Sequence, residues 1–413
     1  MEVEIERILP GGLGLAHAEG RTIMVPLSAP GDRLRVKIER EKGNVTFASI
    51  VEIVQPSPER VEPPCPYFGR CGGCDFQQLN YQAQLKAKAE IIKDCLRRLS
   101  GLSSYPDFEV TAAPNPWHYR ARAQWQYDST SGRLGYFEAG SRVVCDVLEC
   151  AVLTPELQEA LADLRTRIND DSLPETKYFR AIGGDEGVSI TPNPETKSAA
   201  FDIHLSISGE SYRLNAESFF QTNAELLPRL IDAAIGEATG SSAIELYCGV
   251  GLFTLPVARR FKHVIGIEDD ARAVKFARAN VTAAGLTNAE IVKAGVGDWI
   301  VLERSRKAQR RSSFGSASRR DSAVDSIQSA VDSGTRQIDF LLLDPPRTGA
   351  ESRVIHGIIG LKPTQVCYVS CDPATLARDL KKLIAGGYTL DSIAAFDMFP
   401  QTHHVETVVH LSG

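Results

Sequence analysis

The sequence predicts an α/β protein in three parts: a small all-β unit, a β-rich middle, and a C-terminal doubly wound parallel sheet. Three observations carry this. Residues 1–54 alternate apolar and polar positions between glycine-rich turns. From about 110 to 210 the pattern stays one of strands and turns. From about 215 apolar strand-like runs alternate with helical periods, as a parallel sheet with crossover helices requires. With 413 residues the chain can hold two or three domains and bury a full core. Its net charge of −6 argues against a protein that coats nucleic acid but leaves room for a local basic groove. No apolar stretch reaches membrane-spanning length, and MEVEIERILP lacks the basic-then-apolar pattern of a signal peptide. A cytoplasmic location is therefore expected. Nine unevenly placed cysteines do not read as a disulfide framework, so clustered ones point to metal ligation or thiol chemistry.

Taken in order, VEIERI, PGGLGLA, RTIMVPL, DRLRVKIER and VTFASIVEIV give about five strands in residues 1–54. Arg33, Arg35 and Lys37 share one strand face, which is either a solvated face or an RNA contact. This segment resembles a TRAM domain, an OB-like small β-barrel attached to RNA-modifying enzymes. PSPERVEPP, 56–64, is a linker. Residues 80–100 form an amphipathic helix ending in basic residues; it is counted with the middle unit, 55–210, and its packing on the C-terminal unit is left open. Farther on, WHYRARAQWQY and GRLGYF interleave arginines with aromatics, and Arg120 and Arg122 share a strand face. Such a mixture can hold phosphates and stack unpaired bases, or simply half-bury a strand. The C-terminal unit, 211–413, is interrupted at 303–337 by a Ser-, Arg- and Ala-rich stretch with too little apolar surface to build a core; it is read as a flexible insertion.

The chemistry-bearing residues fall into four groups. CPYFGRCGGC spaces Cys65, Cys71 and Cys74 as C-x5-C-x2-C, a metal or cluster site whose fourth ligand must come from elsewhere. Cys145 and Cys150 are both available, and spacing alone does not choose zinc or iron. AIELYCGVGLFTLPVA runs from an apolar strand through G-x-G into a helix, the approach of bare backbone to a nucleotide-like ligand. A second strand, HVIGIEDD, follows and ends in Glu268, placed to take both ribose hydroxyls unless the acids there merely cap a helix. NAD enzymes and S-adenosylmethionine (SAM) methyltransferases share that pattern. DFLLLDPPRTG decides for the latter, because a carboxylate, Asp344, stands at the sheet rim before a donor-free Pro-Pro loop. Finally, in YVSCDPATLARDL, Cys371 falls where a strand hands over to a helix, on the rim where open α/β sheets bind ligands.

Together these motifs resemble the uracil-5 RNA methyltransferases that carry an iron–sulfur cluster, especially those acting on 23S ribosomal RNA. CPYFGRCGGC, SFFQTN, ELYCGVG, LLLDPPRTG, VSCDPATLARDL and HHVET carry the resemblance, which spans the chain outside 303–337. It implies a Rossmann-like SAM domain behind a cluster-binding central domain. It implies that Cys65, Cys71, Cys74 and Cys150 hold a [4Fe–4S] cluster, Cys150 because it directly precedes the apolar AVLTP segment. Gln221, Tyr247, Glu268 and Asp344 would contact SAM; Cys371 would be the nucleophile and Glu406 the base. His403 and His404 are neighbouring alternatives for that base. The chain departs from the pattern at Leu252, where relatives often have Asn. The acid on the adenine side is ambiguous between Asp298 and a backbone contact near Gly295. The implied chemistry adds a thiolate to uracil C6, making C5 nucleophilic, and then needs a base to remove the C5 proton. The target base must be unpaired or flipped. The rival readings are the same reaction on the transfer RNA T-loop and a non-catalytic iron–sulfur RNA-binding protein.

Overall fold

In the computed structural model, which describes residues 1–169, 173–196, 200–303 and 337–413, the first 55 residues form one six-stranded sheet. Its strands are β1 (Glu2–Glu4), β2 (Arg7–Leu9), β3 (Leu13–Ala18), β4 (Arg21–Pro26), β5 (Arg33–Lys42) and β6 (Val45–Gln55), in the order β1-β5-β6-β4-β3-β2. VEIERI, read from sequence as one strand, is therefore two. The chain turns at Ile5, whose N–H donates to Asp32 while that of Glu6 donates to Leu15. β1 consequently pairs with β5 and β2 with β3. Ile5, Ile23, Val25 and Leu34 fill the small core. On the outer face Arg35 is held by Glu2 and Glu52, and Lys37 by Glu39, so those two cations are already matched by carboxylates.

A helix, α1 (Tyr81–Cys95), starts at Asn80, whose side chain takes the N–H of Ala83. It ends in a wider turn, Leu96–Ser100, closed by Gly101 at φ 78°. The central sheet then runs β8 (Arg122–Asp128), β9 (Arg133–Phe137), β10 (Val144–Asp146), β11 (Tyr178–Gly184) and β12 (Gly187–Thr191), in the order β10-β9-β8-β11-β12. Helix α2 (Pro155–Asn169) lays Leu157, Leu161 and Leu164 on Trp125, Leu134 and Phe179. The hairpin of β13 (Ile203–Ile207) and β14 (Glu210–Leu214) leads into the last unit.

That unit is built on β15 (Gly240–Leu246), β16 (Phe261–Glu268), β17 (Ala289–Lys293), β18 (Phe340–Leu343), β19 (Gln365–Ser370), β20 (Thr389–Phe396) and β21 (Glu406–Ser412). Two residues from the middle of the chain, β7 (Val110–Thr111), extend it, giving the order β17-β16-β15-β18-β19-β21-β20-β7. β15 to β19 are parallel; β21 is antiparallel to both its neighbours. The run Phe340–Leu343 is buried on both faces, as a central parallel strand must be. Phe340 and Leu342 face one core, with α3 (Leu227–Ile235) and α5 (Ala271–Ala283). Leu341 and Leu343 face the other, with α6 (Ser352–Leu361) and α7 (Pro373–Ala385); a short helix, α4 (Thr254–Ala258), follows β15. Ile92 and Leu96 belong to this second core, so the helix read at 80–100 packs on the C-terminal sheet. The insertion read at 303–337 lies, except for its first and last residues, outside the described residues. No described helix is long and apolar enough to cross a membrane.

Candidate active site

β15 leads to β16 and β17 on one side, and β18 returns on its other side. The strand order therefore reverses between β15 and β18, and the crevice beyond their C-terminal ends is the position at which such sheets bind ligands. Tyr247 leaves β15 with φ 66°, and Gly249 and Gly251 follow at φ 56° and 95°. Glu268, at the end of β16, holds this loop: its carboxylate takes the N–H of Gly249 at 2.9 Å and those of Asp269 and Asp270 at 2.9 and 2.8 Å. The helix cap is Asp270, which accepts from Arg272 and Ala273. Glu268 is thus not the side chain that caps the helix. Across the crevice Asp344 follows β18, and the Gln221 amide donates to it at 3.4 Å. Burial raises the Asp344 carboxyl to about 7, against the pull of Gln221. Leu252, where an Asn was expected, is buried, and its carbonyl takes the Tyr212 hydroxyl at 3.0 Å. Asp298 is exposed and paired with Arg353, while its N–H bonds the Gly295 carbonyl.

The next strands bring Cys371 and Glu406 to the same rim. Cys371 follows β19, whose last residue, Ser370, pairs with Thr407 of β21. Continuing that antiparallel register puts Cys371 opposite Glu406. Because β21 runs against the parallel strands, its first residue arrives at their C-terminal ends. Three adjacent strands therefore present Asp344, Cys371 and Glu406 side by side. Burial pushes the Cys371 thiol up to about 12, the Glu406 charge adds to this, and Arg347 opposes it. Glu406 is 1% exposed, and its Oε1 has no hydrogen-bond partner among the described residues. Burial first, then the Asp344 charge, raises its carboxyl, and Arg347 again opposes. Arg347 was quoted in DFLLLDPPRTG but given no role; a cation three residues past a rim carboxylate was the available signal. Of the two histidines, His403 is engaged by Asp75 at 2.5 Å. His404 is held neutral, its pKa lowered to about 3 by burial and the neighbouring His403, Arg347, Lys88 and Arg120.

A cleft of about 660 Å³ opens from this rim between all three parts of the chain. Arg347, Phe399 and His404 line one side, Gly11–Leu13 another, and Gln124, Gln126 and Phe137 of the central sheet a third. The two arginines read as one face divide here. Arg120 lies inward beside Tyr136, at 5.9 Å from the ring centroid. Arg122 lies over the exposed ring of Phe219 at 5.3 Å.

On the floor of the same region, Cys65, Cys71, Cys74 and Cys150 line one cavity with Tyr67, Arg120 and Tyr136. Cys145 is not among the lining residues; it is buried, and its sulfur takes the Arg70 Nε–H at 3.3 Å. Burial pushes the Cys71 thiol up to about 11 and Cys74 up to about 12, while the half-buried Arg120 opposes this at Cys74 and Cys150. The four thiols surround a space without meeting at a point: among the described residues no three His, Cys, Asp or Glu are grouped to grip a single ion. Cys248 and Cys367 are buried in the first core of the C-terminal sheet, and Cys95 is buried on α1.

The fold and this rim define a SAM-dependent methyltransferase with an N-terminal TRAM domain. The sequence profile described as tRNA (Uracil-5-)-methyltransferase matches residues 197–413, and that of the tRNA (uracil(54)-C(5))-methyltransferase TRAM domain matches 1–59. An uncharacterized RNA methyltransferase of Halalkalibacterium halodurans is 30% identical over 100% of this chain and 96% of its own. The 23S rRNA (uracil(1939)-C(5))-methyltransferase RlmD of Alkalilimnicola ehrlichii is 30% identical over 98% and 95%. Among solved structures, Pyrococcus abyssi tRNA (uracil-54, C5)-methyltransferase in complex with S-adenosyl-L-homocysteine superimposes with a TM-score of 0.71 at 25% identity, covering 99% of this chain and 100% of that one. The chain belongs to the RNA uracil-5-methyltransferase family, whose catalytic profile covers its C-terminal half.

Proposed function

We propose that this enzyme methylates C5 of a uridine in 23S ribosomal RNA through a covalent adduct between Cys371 and C6 of the base. The observation that carries the reading is the side-by-side delivery of Asp344, Cys371 and Glu406 by β18, β19 and β21. The Cys371 sulfur bonds C6, and the C5–C6 electron pair moves toward C5, which then takes the methyl group. SAM, when bound, supplies that electrophilic methyl and a positive charge. Glu406 removes the C5 proton; the electrons restore the double bond and expel the Cys371 thiolate. Glu406 suits this because its Oε1 has no partner among the described residues and its carboxyl lies close enough to Cys371 to act on it electrostatically. Arg347 supports the thiolate by opposing the upward shift at Cys371, and it favours the ionised, proton-accepting form of Glu406. Glu268, Tyr247, Gln221 and Asp344 would hold SAM in the crevice between β15 and β18.

Cys65, Cys71, Cys74 and Cys150 would hold a [4Fe–4S] cluster. The four cysteines line one cavity and can supply the four thiolates that such a cluster takes. Arg120 would offset part of its negative charge. No redox step is needed, so the cluster would shape the RNA side of the cleft.

The likeness to the archaeal transfer RNA enzyme favours the T-loop uridine as a second reading. Mapping 5-methyluridine in RNA from a strain lacking the gene tests both. A site lost from 23S RNA supports the first, and one lost from transfer RNA replaces it by the second. Glu406→Gln should transfer methyl but stall release, leaving a methylated protein–RNA adduct on denaturing gels. Loss of activity without an adduct would remove the base role.

A further inference from the structure

The segment that leads into Glu406, residues 397–405 between β20 and β21, is anchored almost entirely by residues from the other end of the chain. Asp75, next to Cys74, takes the backbone N–H of His403 at 2.8 Å and its ring Nδ1 at 2.5 Å. The N–H groups of Asp75 and Phe76 both donate to the Gln401 carbonyl, at 3.1 and 3.0 Å. Gln401, at φ 67° and 2% exposed, exchanges two further bonds with the Gln84 side chain. The Tyr119 hydroxyl donates to Pro400, and Lys88 to Phe399 and Asp397. The N-terminal sheet closes over the same spot. A Cβ added at Gly12 would lie 3.0 Å from the Asp75 carboxylate and 3.2 Å from His403, at a φ of +76° that glycine tolerates.

The contacts run on to the reaction centre. The His403 and His404 rings lie 4.2 Å apart between centroids, His404 meets Phe399 edge-on at 6.0 Å, and His404 lines the cleft with Arg347. Glu406 is two residues farther along. A loop of nine residues has many conformations, and a base is useful only within hydrogen-bond reach of its proton.

We propose that Asp75 is a positioning residue for the elimination step: it locks the 397–405 loop, and so Glu406, onto the cysteine segment, coupling the geometry of the cysteine site to that of the base. This rests on the role of Glu406 proposed above. It gives the cysteine site a catalytic consequence without electron transfer. Any loss of order at Cys71–Cys74 is passed through Asp75 to the proton-abstracting carboxylate.

The test compares full-length Asp75→Ala, Asp75→Asn and His403→Ala with wild type and with Glu406→Gln. Amide hydrogen exchange is measured in peptides covering 398–406 and, as a reference, 340–343 and 365–370. Adduct formation is measured with total RNA, ribosomal and transfer, from cells lacking the gene. Asp75→Ala should speed exchange in 398–406 about tenfold or more, as loss of a charged hydrogen bond predicts, and leave the reference peptides unchanged. It should also accumulate the methylated Cys371 adduct, as Glu406→Gln does. Asp75→Asn, which keeps an acceptor for the His403 N–H, should fall between. His403→Ala breaks the ring contact from the loop side, leaves the cysteine segment intact, and should give the same two signatures. Wild-type exchange in 398–406 would overturn the proposal, as would protection lost equally in the reference strands, since Asp75 would then be a general fold residue. Adduct trapped by Glu406→Gln but not by Asp75→Ala or His403→Ala would overturn the link to elimination alone. If Glu406→Gln itself traps none, the base assignment falls, and the exchange data still decide whether Asp75 holds the loop.

Discussion

Glu245 sits under the glycine loop, 1% exposed, with the Thr254 hydroxyl donating to its carboxyl. Burial raises it to about 8, and the charges of Asp344 and Glu268 add to the effect. The unfolded chain ionises near 4.3, so between roughly pH 4.3 and 8 the folded protein keeps a proton that the unfolded one has released. More protons bound in the folded state means stability falls as pH rises through that window, by about 1.4 kcal/mol per unit. Glu245→Gln keeps an acceptor for Thr254 and cannot ionise. It should match wild type near pH 4.5 and exceed it by about 3 kcal/mol at pH 7, the difference levelling off above pH 8. Urea unfolding from pH 4.5 to 8.5, followed by circular dichroism and tryptophan fluorescence, measures this. Asp344 tilts both proteins in the same direction, so the difference isolates Glu245. Parallel profiles, or a variant less stable at pH 7 than at pH 4.5 relative to wild type, would show that Glu245 is ionised in the folded protein.

Cys371→Ala should abolish methyl incorporation into RNA while SAM binding by calorimetry stays within about twofold, because the thiol acts on the base; residual turnover within about tenfold of wild type would refute its role. Anaerobically purified protein should be brown with about four irons per chain. Cys150→Ser should bleach it and Cys145→Ser should not, since Cys145 is turned to Arg70; one zinc in a colourless protein would reject the cluster. Lys88→Met leaves Asp397 buried and unpaired, both side chains being 0% exposed, and should cost about 3–5 kcal/mol in urea unfolding. Lys88→Met with Asp397→Leu should regain most of that, and a single-variant cost below about 1 kcal/mol would refute a buried charge pair.

What the sequence made legible is what is written locally. The helix start after Cys371 and the apolar runs in DFLLLDPPRTG and YVSCDPATLARDL are contiguous patterns, and β18, β19 and α7 lie where those patterns put them. The placement of Asp344, Glu268 and Cys371 at strand ends followed from the same periodicity. Glu406 was reached only through a resemblance, because its position depends on β21 running antiparallel to β19, which no period encodes. The strand pair Ala395↔Val110 and the helix α1 against α7 cross the boundary read near residue 210 for the same reason.

Charged residues were the hardest to read, because a charge on a periodic face carries no mark of its partner. Lys88 on an amphipathic helix reads as solvated, and becomes buried only because Asp397, 309 residues away, meets it. Asp75 and His403 are 328 residues apart. Arg35 could have faced a phosphate, yet two glutamates from neighbouring strands occupy it. Cys145 and Cys150 were equal by spacing; in the fold Cys145 takes the Arg70 N–H, while Cys150 lines the cavity with Cys65, Cys71 and Cys74. In each case the deciding partner arrives from a distant strand or loop. The same long-range contacts hold the loop before Glu406, so its anchoring residues are dispersed along the chain, while Asp344, Cys371 and Glu406 sit in contiguous motifs.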